Sequence, residues 1–571
     1  MIKQWVFKPE PPKEDVNALV NSLGVHPILG KLLVQRDIID FDSAKRFFRP
    51  SLDGLHDPFD MKGMDTAIER LNDALFNSER VLIYGDYDVD GTTSVALMYN
   101  FLKEFSTNIF TYIPDRYTEG YGVSQKGIQW AIDHDIDLLI TLDCGIRACD
   151  TIGHATQNSI DVIICDHHLP GDILPDALAI LDPKQDDCNY PYDELSGCGI
   201  GFKLLQGLCI QNGIEIEKLY QSLDLVALSI ASDIVPITGE NRTLAYFGMK
   251  KLNSDATPGL GAMIEKAGLQ RPLSISDVVF GIGPRINAAG RINHAKTALD
   301  LLTQPTKEDA YVFAEKLNLE NNERKSFDES ITLEALGLIK KEGQVNNHST
   351  VLFKKDWHKG VIGIVASRCI EHYFKPTIIL TESNGKVTGS ARSVDGFDIY
   401  RAIDACSEHL EQFGGHKYAA GLTMKKEKLG DFKRAFEASV GELIEEEHKV
   451  CKIEVDTEID FEYIDSRFNN ILKQMGPFGP QNMQPVFVAK NVTLKSPPRV
   501  LKEKHLKLFV SQFGTDNAFD AIGFGMGHFE KKLGDGFDIA FTLEENHFRG
   551  EVSLQLMLKD IKLHKTEAIQ D

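Results

Sequence analysis

Val81-Leu82-Ile83-Tyr84-Gly85-Asp86-Tyr87-Asp88-Val89-Asp90-Gly91-Thr92-Thr93 is the stretch that decides the fold. Its first four residues form a short apolar run of buried-strand type, and the residues from Thr92 to Phe105 have the apolar spacing of a helix. Between them, three carboxylates stand at alternate positions. Outward from this junction lie four further strand candidates, Ile109–Ile113, Leu138–Leu142, Val162–Cys165 and Ala179–Leu181, with a second helical stretch at Ser124–His134. Strands alternating with helices predict an α/β fold with a parallel sheet, and such sheets gather ligands at the carboxyl ends of their strands.

Farther along, residues 182–300 read as mostly helical, broken by Gly-rich stretches at Ser196–Gly201 and Gly281–Gly290. From Thr306 to Lys341 the chain is charged and nearly free of Gly and Pro, with apolar Leu333, Leu336 and Ile339, which predicts a long connecting helix. A second α/β unit is expected from Ser349 to Glu446, with strands near Val351–Phe353 and Thr377–Thr381 and a helix near Ile362–Tyr373. Beyond Val450 come short alternating runs, Cys451–Ile459, Pro485–Leu494, His505–Ser511, Ala518–Phe524 and Phe537–Leu543, as in a small β-barrel or sandwich. The expected segments are 1–305, 306–345, 346–448 and 449–571.

Composition agrees with several domains, since 571 residues at roughly 100–200 per domain make three or four. A hydrophobic fraction of 42% and a charged fraction of 26% exclude a disordered chain. No apolar run approaches the ~20 residues of a membrane helix. The first 15 residues lack an apolar signal core, and the nine cysteines include no Cys-x-x-Cys pair, so a reducing cytoplasm is the expected setting. With 62 basic against 84 acidic residues the net charge is −22. Any site for a polyanion must therefore be local, built from a few basic side chains and bound cations.

The acids supply the chemistry. The third strand ends in Leu142-Asp143-Cys144-Gly145, the fourth in Cys165-Asp166-His167-His168, and Ala231-Ser232-Asp233 offers one more carboxylate. Singly, an Asp after a strand is often the cap of the next helix, and a His pair is often surface or satisfied core. A calcium loop is excluded, because its Glu would fall at position 97, which is Leu97. Capping alone does not make neighbouring strands all end in Asp or His, and crowded carboxylates need cations. Oxygens with one or two imidazoles suit Mn²⁺ or Mg²⁺ better than zinc. Two such ions ~3.5–4 Å apart serve hydrolysis at a phosphoryl centre, with the second His as general acid or phosphate donor.

Together, Asp86-Tyr87-Asp88-Val89-Asp90-Gly91 and Asp166-His167-His168 resemble the DHH phosphoesterase superfamily. The resemblance narrows with Ile113-Pro114-Asp115-Arg116, Glu119-Gly120-Tyr121-Gly122 and the run from Gly283-Pro284-Arg285 to Gly290-Arg291. Gly360–Arg368, Gly389-Ser390-Ala391-Arg392-Ser393 and Phe413-Gly414-Gly415-His416 follow in order. From Trp5 almost to the C-terminus the chain resembles the RecJ family of single-strand-specific 5′–3′ DNA exonucleases, which act in DNA repair and recombination. The resemblance implies a DHH domain, a DHH-associated domain and a C-terminal OB-like barrel. It also implies two divalent cations held by Asp88, Asp90, Asp143, His167 and Asp233, with Asp86 a ligand or a neighbour of one. His168 matches the catalytic or phosphate-contacting histidine, and Asp166 is expected to orient its neighbours. Arg116, Arg285, Ser390 and Arg392 match phosphate-holding positions; Arg291 and His416, the latter in a glycine loop, are further expected contacts. Single-stranded DNA, a helicase and a single-strand-binding protein are the implied partners of a monomer.

In the last segment Lys490, Lys495, Arg499, Lys502, Lys504 and Lys507 are opposed within their stretch only by Glu503, and Phe509, Phe513 and Phe519 lie close by. Basic residues with aromatics suit sequence-neutral single-strand binding, although aromatics also fill small barrels. Gln481-Asn482-Met483-Gln484-Pro485 departs from the family's usual Gly-Asn-Pro-Glu-Pro. Gly197–Gly201 lacks dinucleotide spacing, no phosphate-binding Gly-x4-Gly-Lys loop occurs, and Cys144 and Cys165 read as small apolar residues. Two other readings remain open at this point: a phosphodiesterase for short oligoribonucleotides or cyclic dinucleotides, and a non-catalytic single-strand-binding replication scaffold.

Overall fold

A computed structural model describes residues 3–564 apart from 516, 535 and 549; the expected segment ends at 1–2 and 565–571 lie outside the described residues. The chain divides into two compact units, one of residues 49–326 with 477–483, the other of residues up to 48, 327–476 and 484 onward. Strand β1 (Lys3–Phe7) opens the chain and pairs in parallel with residues 451–455 of its own unit. The sequence reading kept this N-terminal extension with the first α/β segment. A five-residue strand needs an edge to pair with, and here Trp5 Nε1 also donates to Asp560 Oδ2 (2.8 Å) and Lys8 Nζ to Asp456 Oδ1 (2.9 Å).

In the first unit, β2 (Val81–Gly85), β3 (Ile109–Tyr112), β4 (Leu138–Leu142), β5 (Asp161–Cys165) and β6 (Ala179–Leu181) form a wholly parallel sheet in the order β3-β2-β4-β5-β6. Every residue of β2 and β4 is buried, which is why these strands read as unbroken apolar runs. From β2 the chain crosses to β3 on one side and then to β4 on the other. The order therefore reverses between β2 and β4, where such sheets open a crevice. Asp86 to Asp90 and Asp143 stand at that crevice, with helix α1 (Val89–Leu102) leading away from it.

Residues 182–300 are mostly helical, but the two glycine stretches are not interruptions. Ser196 caps α2 (Gly197–Asn212), α3 (Leu223–Ser232) follows, and a π-turn over 278–282 leads into α4 (Gly283–Ile292). Glycine is a poor helix former, yet these positions need it for close approach. A Cβ on Gly197 would stand 2.6 Å from the Asp143 Cβ, and one on Gly283 would stand 2.9 Å from Ser232 Oγ. The expected connecting helix is present as α5 (Lys307–Lys341).

In the second unit, β7 (Thr350–Phe353), β8 (Thr377–Ser383), β9 (Lys386–Arg392), β10 (Gln412–His416) and β11 (Ala419–Met424) form a sheet in the order β10-β11-β9-β8-β7, parallel only between β7 and β8. Helix α6 (Ile362–Tyr373) packs on β8 and β9. His416 was expected in a loop; it is instead the last residue of edge strand β10. Its two glycines stand opposite Gly421 and Ala420, so small residues face small ones across the ladder.

The remaining strands are β12 (Cys451–Val455), β13 (Thr457–Glu458), β14 (Phe487–Leu494), β15 (Arg499–Leu501), β16 (His505–Gln512), β17 (Ala518–Gly523), β18 (Phe537–Phe548) and β19 (Glu551–Leu563). Seven of them make one sheet, β13-β14-β18-β19-β17-β16-β15, which curls so that β14 also pairs with β16 in a barrel that is not strictly closed. Phe461, Phe487, Phe537 and Phe541 fill it. Among the described residues no helix is long and apolar enough to cross a membrane.

Candidate metal centre and phosphate contacts

Strand ends and helix ends deliver the acids by different local devices. Asp88 caps α1, its Oδ1 accepting the Gly91 amide at 3.0 Å. Asp90, in the first turn of α1, faces the N-terminus of α2 and accepts the amides of Gly197 (2.7 Å) and Cys198 (2.8 Å) and the Ser229 hydroxyl (2.7 Å). That arrangement places a carboxylate on the positive end of a helix dipole. Asp143 sits in the left-handed region at φ 60°, a conformation Asp tolerates better than most residues. Asp233 ends α3, and Ile234 after it is again left-handed at φ 62°.

Three of these acids meet at one imidazole. His167 Nε2 lies 3.0 Å from Asp143 Oδ1, 3.6 Å from Asp233 Oδ2 and 3.8 Å from Asp90 Oδ2. Burial pushes the His167 imidazole towards its neutral form, which is the form that ligates metals. Burial, with the charges of neighbouring acids, also pushes Asp86, Asp88 and Asp143 up and Asp233 to about 8. Asp86 Oδ2, Asp143 Oδ2 and His167 Nδ1 are buried without a hydrogen-bond partner. Buried carboxylates that repel one another and polar atoms left unsatisfied are both remedied by a divalent cation. The residues present fit one.

Beside this cluster, Asp166 accepts the His168 side chain at 2.7 Å and the amides of His167 (2.8 Å) and His168 (3.2 Å) on Oδ1, and the Ile146 amide (2.9 Å) on Oδ2. Burial raises the Asp166 carboxyl, but the hydrogen bonds from His168 and Ile146 outweigh it and hold the group below its ordinary value. Burial works against the charged His168 ring as well, yet Asp166 wins and pushes it up to about 9. The far side of that ring, Nε2, lies 3.3 Å from the Tyr121 hydroxyl.

The expected phosphate contacts fall in several places. Arg116 lies over the Tyr87 ring at 5.1 Å. Arg285 is 8% exposed, donates from Nε to Asn318 Oδ1 (3.0 Å) and also bonds the Gly281 carbonyl. The Arg291 carbonyl accepts the Tyr117 hydroxyl. In the second unit Arg392 donates to Ser390 Oγ at 3.0 Å, and both face the first turn of α6. A Cβ on Gly363 would come within 2.9 Å of each of these side chains. A helix N-terminus with Arg and Ser beside it is built for an anion. His416 is exposed, its Nδ1 accepts the Tyr418 amide at 3.3 Å, and the register aligns it with Arg392 across Ala419.

Family models for the DHH family N-terminal domain, the DHHA1 domain and the RecJ OB domain match residues 80–230, 346–442 and 455–560. Single-stranded-DNA-specific exonuclease RecJ of Bacillus subtilis is 33% identical over 98% of this chain and 70% of its own length. That of Escherichia coli is 31% identical over 94% and 96%. The chain belongs to the RecJ family. The crystal structure of Thermus thermophilus RecJ in complex with Mn²⁺ superposes with a TM-score of 0.85 at 25% identity, covering 99% of this chain and 80% of that one; the same protein has been solved with Mg²⁺.

Within this RecJ-family chain the sequence reading passed over Asp182. It follows β6, is fully buried, is pushed up to about 7 by burial and by Asp166, and has Oδ2 without a partner. The rule that found the other strand-end acids applied to it equally. Ser229 and the Gly197 and Cys198 amides, which anchor Asp90, carry no motif of their own. In the OB domain the aromatics divide, with Phe509 and Phe513 exposed and Phe519 packed on Phe461 in the core. The basic stretch is opposed beyond Glu503, because Lys490 pairs with Glu458 (2.5 Å) and Lys507 with Asp520 (3.5 Å). Gln481, where the family usually has Gly, is left-handed at φ 59°, the conformation a glycine would take without strain.

Proposed function

We propose that this chain hydrolyses single-stranded DNA from the 5′ end to mononucleotides, with two divalent cations, Mn²⁺ or Mg²⁺. The observation that carries the reading is the convergence of Asp143, Asp233 and Asp90 oxygens within 3.0–3.8 Å of His167 Nε2 at the sheet's reversal point. It comes in a family whose named members are single-stranded-DNA-specific exonucleases. Asp88, Asp90, Asp143, His167 and Asp233 would hold the cations, with Asp86 beside them. When bound, the cations supply charge that polarises a phosphoryl centre and acidifies a water.

The chain's own groups do the rest. His168, kept charged by Asp166, donates a proton or hydrogen bond towards the phosphate or the leaving oxygen. Asp166 holds that ring in one orientation while fixing the Ile146 amide beside Asp143. Arg116, Arg285 and Arg291 offer guanidinium donors to backbone phosphates, and Ser390 with Arg392 suits a terminal phosphate, with His416 a further contact. A helicase to supply the strand and a single-strand-binding protein to keep it open are the partners this chemistry calls for, in the cytoplasm. The 455–560 match speaks against the small-oligonucleotide reading, and the complete donor set speaks against a scaffold.

Degradation of a long single strand labelled separately at each end, with Mn²⁺, is the test. Early release of labelled mononucleotide only from the 5′ end, lost in Asp88→Ala, is the expected result. Turnover of di- to pentanucleotides alone would overturn it, and so would tight binding with no turnover.

A further inference from the structure

Ile234 combines two properties that rarely coincide. It is a β-branched residue in the left-handed region, at φ 62°, and its side chain is 67% exposed. The backbone conformation has a clear cause. Asp233 ends α3, and the chain must turn out of the helix at the next residue for the Asp233 carboxylate to face His167, 3.6 Å away. Glycine makes that turn without strain, whereas a branched Cβ is a genuine outlier there. The fold gains nothing from the side chain in return, because most of it lies in solvent instead of the core.

The surroundings say what the side chain is for. Leu169, directly after His168, is 66% exposed, and Tyr121, whose hydroxyl reaches His168, is 56% exposed. Ile234 and Leu169, each next in sequence to a member of the cluster, and Tyr121, in contact with one, are thus largely apolar groups exposed beside it. Strained residues persist at sites where their side chains are used. Apolar groups beside a centre for phosphates match the part of a nucleotide that carries no charge, the sugar carbons and the face of the base.

We propose that Ile234 is a substrate-contact residue, packing against the apolar surface of the nucleotide whose phosphate occupies the acid cluster. The proposal rests on the exonuclease reading above and deepens it by naming a contact that carries no charge and ligates no metal.

The test combines melting curves with steady-state hydrolysis of single-stranded DNA in Mn²⁺ for the full chain and for Ile234→Gly, Ile234→Ala and Ile234→Val. Relief of strain raises the melting temperature of Ile234→Gly by about 2 °C. Loss of the contact raises KM about tenfold in both Gly and Ala variants with kcat unchanged, and Val restores it to within about twofold. An unchanged KM in Gly and Ala variants would overturn the proposal. A fall in kcat or in Mn²⁺ affinity at constant KM would also overturn it, since Ile234 would then act only through the Asp233 backbone. If the unaltered chain neither binds nor turns over single strands, the exonuclease reading itself fails and the contact with it.

Discussion

Asp166 Oδ1 and His168 Nδ1 lie 2.7 Å apart, and the same oxygen also receives the amides of both histidines. One carboxylate therefore fixes the imidazole beside the acid cluster and the backbone that presents it. Asp166→Asn keeps the size but turns an acceptor into a donor. Turnover is expected to fall about 10–100-fold, and the new amide nitrogen, set against an N–H donor in a buried site, costs about 1–3 kcal/mol of stability. Steady-state hydrolysis with melting curves checks this; normal turnover would show that His168 needs no such partner.

Without cations, the folded chain should lose stability as pH rises. Asp233 is pushed up to about 8, by burial first and then by Asp90 and Asp88, and Asp86 and Asp143 are raised in the same sense. Unfolded, these groups titrate near ~4. Between those values the folded state binds more protons, so the stabilisation is complete below the unfolded value and disappears as pH passes the folded one. Each group contributes up to about 1.4 kcal/mol per pH unit. Melting curves of chelated protein from pH 5 to 8 should slope downward, and saturating Mn²⁺ should flatten them. Parallel curves with and without Mn²⁺ would contradict this account.

Gly197 is a tight point of the centre, since an added Cβ would stand 2.6 Å from Asp143 Cβ and 2.9 Å from its Oδ1. Its amide also binds Asp90. Gly197→Ala should displace both acids, costing about 1–3 kcal/mol of stability and weakening Mn²⁺ binding measured by calorimetry. Unaltered Mn²⁺ affinity would mean that α2 can retreat without disturbing Asp143.

Gln481 occupies a left-handed position at φ 59° that suits glycine. Gln481→Gly should stabilise the chain by about 1 kcal/mol, read as a higher melting temperature with unchanged hydrolysis. A lower melting temperature would show that the Gln side chain makes up for its strained backbone.

The acid cluster was legible because strand ends are marked by abrupt passage from apolar to charged residues. Asp86, Asp143 and Asp166 each follow such an end, and so does Asp182, which the sequence reading did not include. What stayed hidden depends on distant partners. The helical glycines at 197 and 283 look like breaks until Asp143 and Ser232 are seen packed against them. The strand containing Gly389 to Arg392 has too many small residues for its sequence to announce it, and its antiparallel neighbours define it. Phe509 and Phe519 cannot be told apart as groove or core without the register that pairs Phe519 with Val510 and Phe509 with Asp520.

Residues 477–483 belong to the first unit although the chain before and after them builds the second. The Ile237 amide donates to the Pro480 carbonyl at 2.8 Å, and Gly479 lies so near that a Cβ there would meet the Ile237 side chain at 2.5 Å. Ile237 is four residues from Asp233. A chain cut near residue 450 would therefore lose more than its OB strands. It would leave β1 without its pairing edge and strip the segment beside Asp233 of its cover, so a dead truncation would say little about DNA binding by the OB domain. Dissecting the chain calls for an excision that spares residues 451–455 and 477–483.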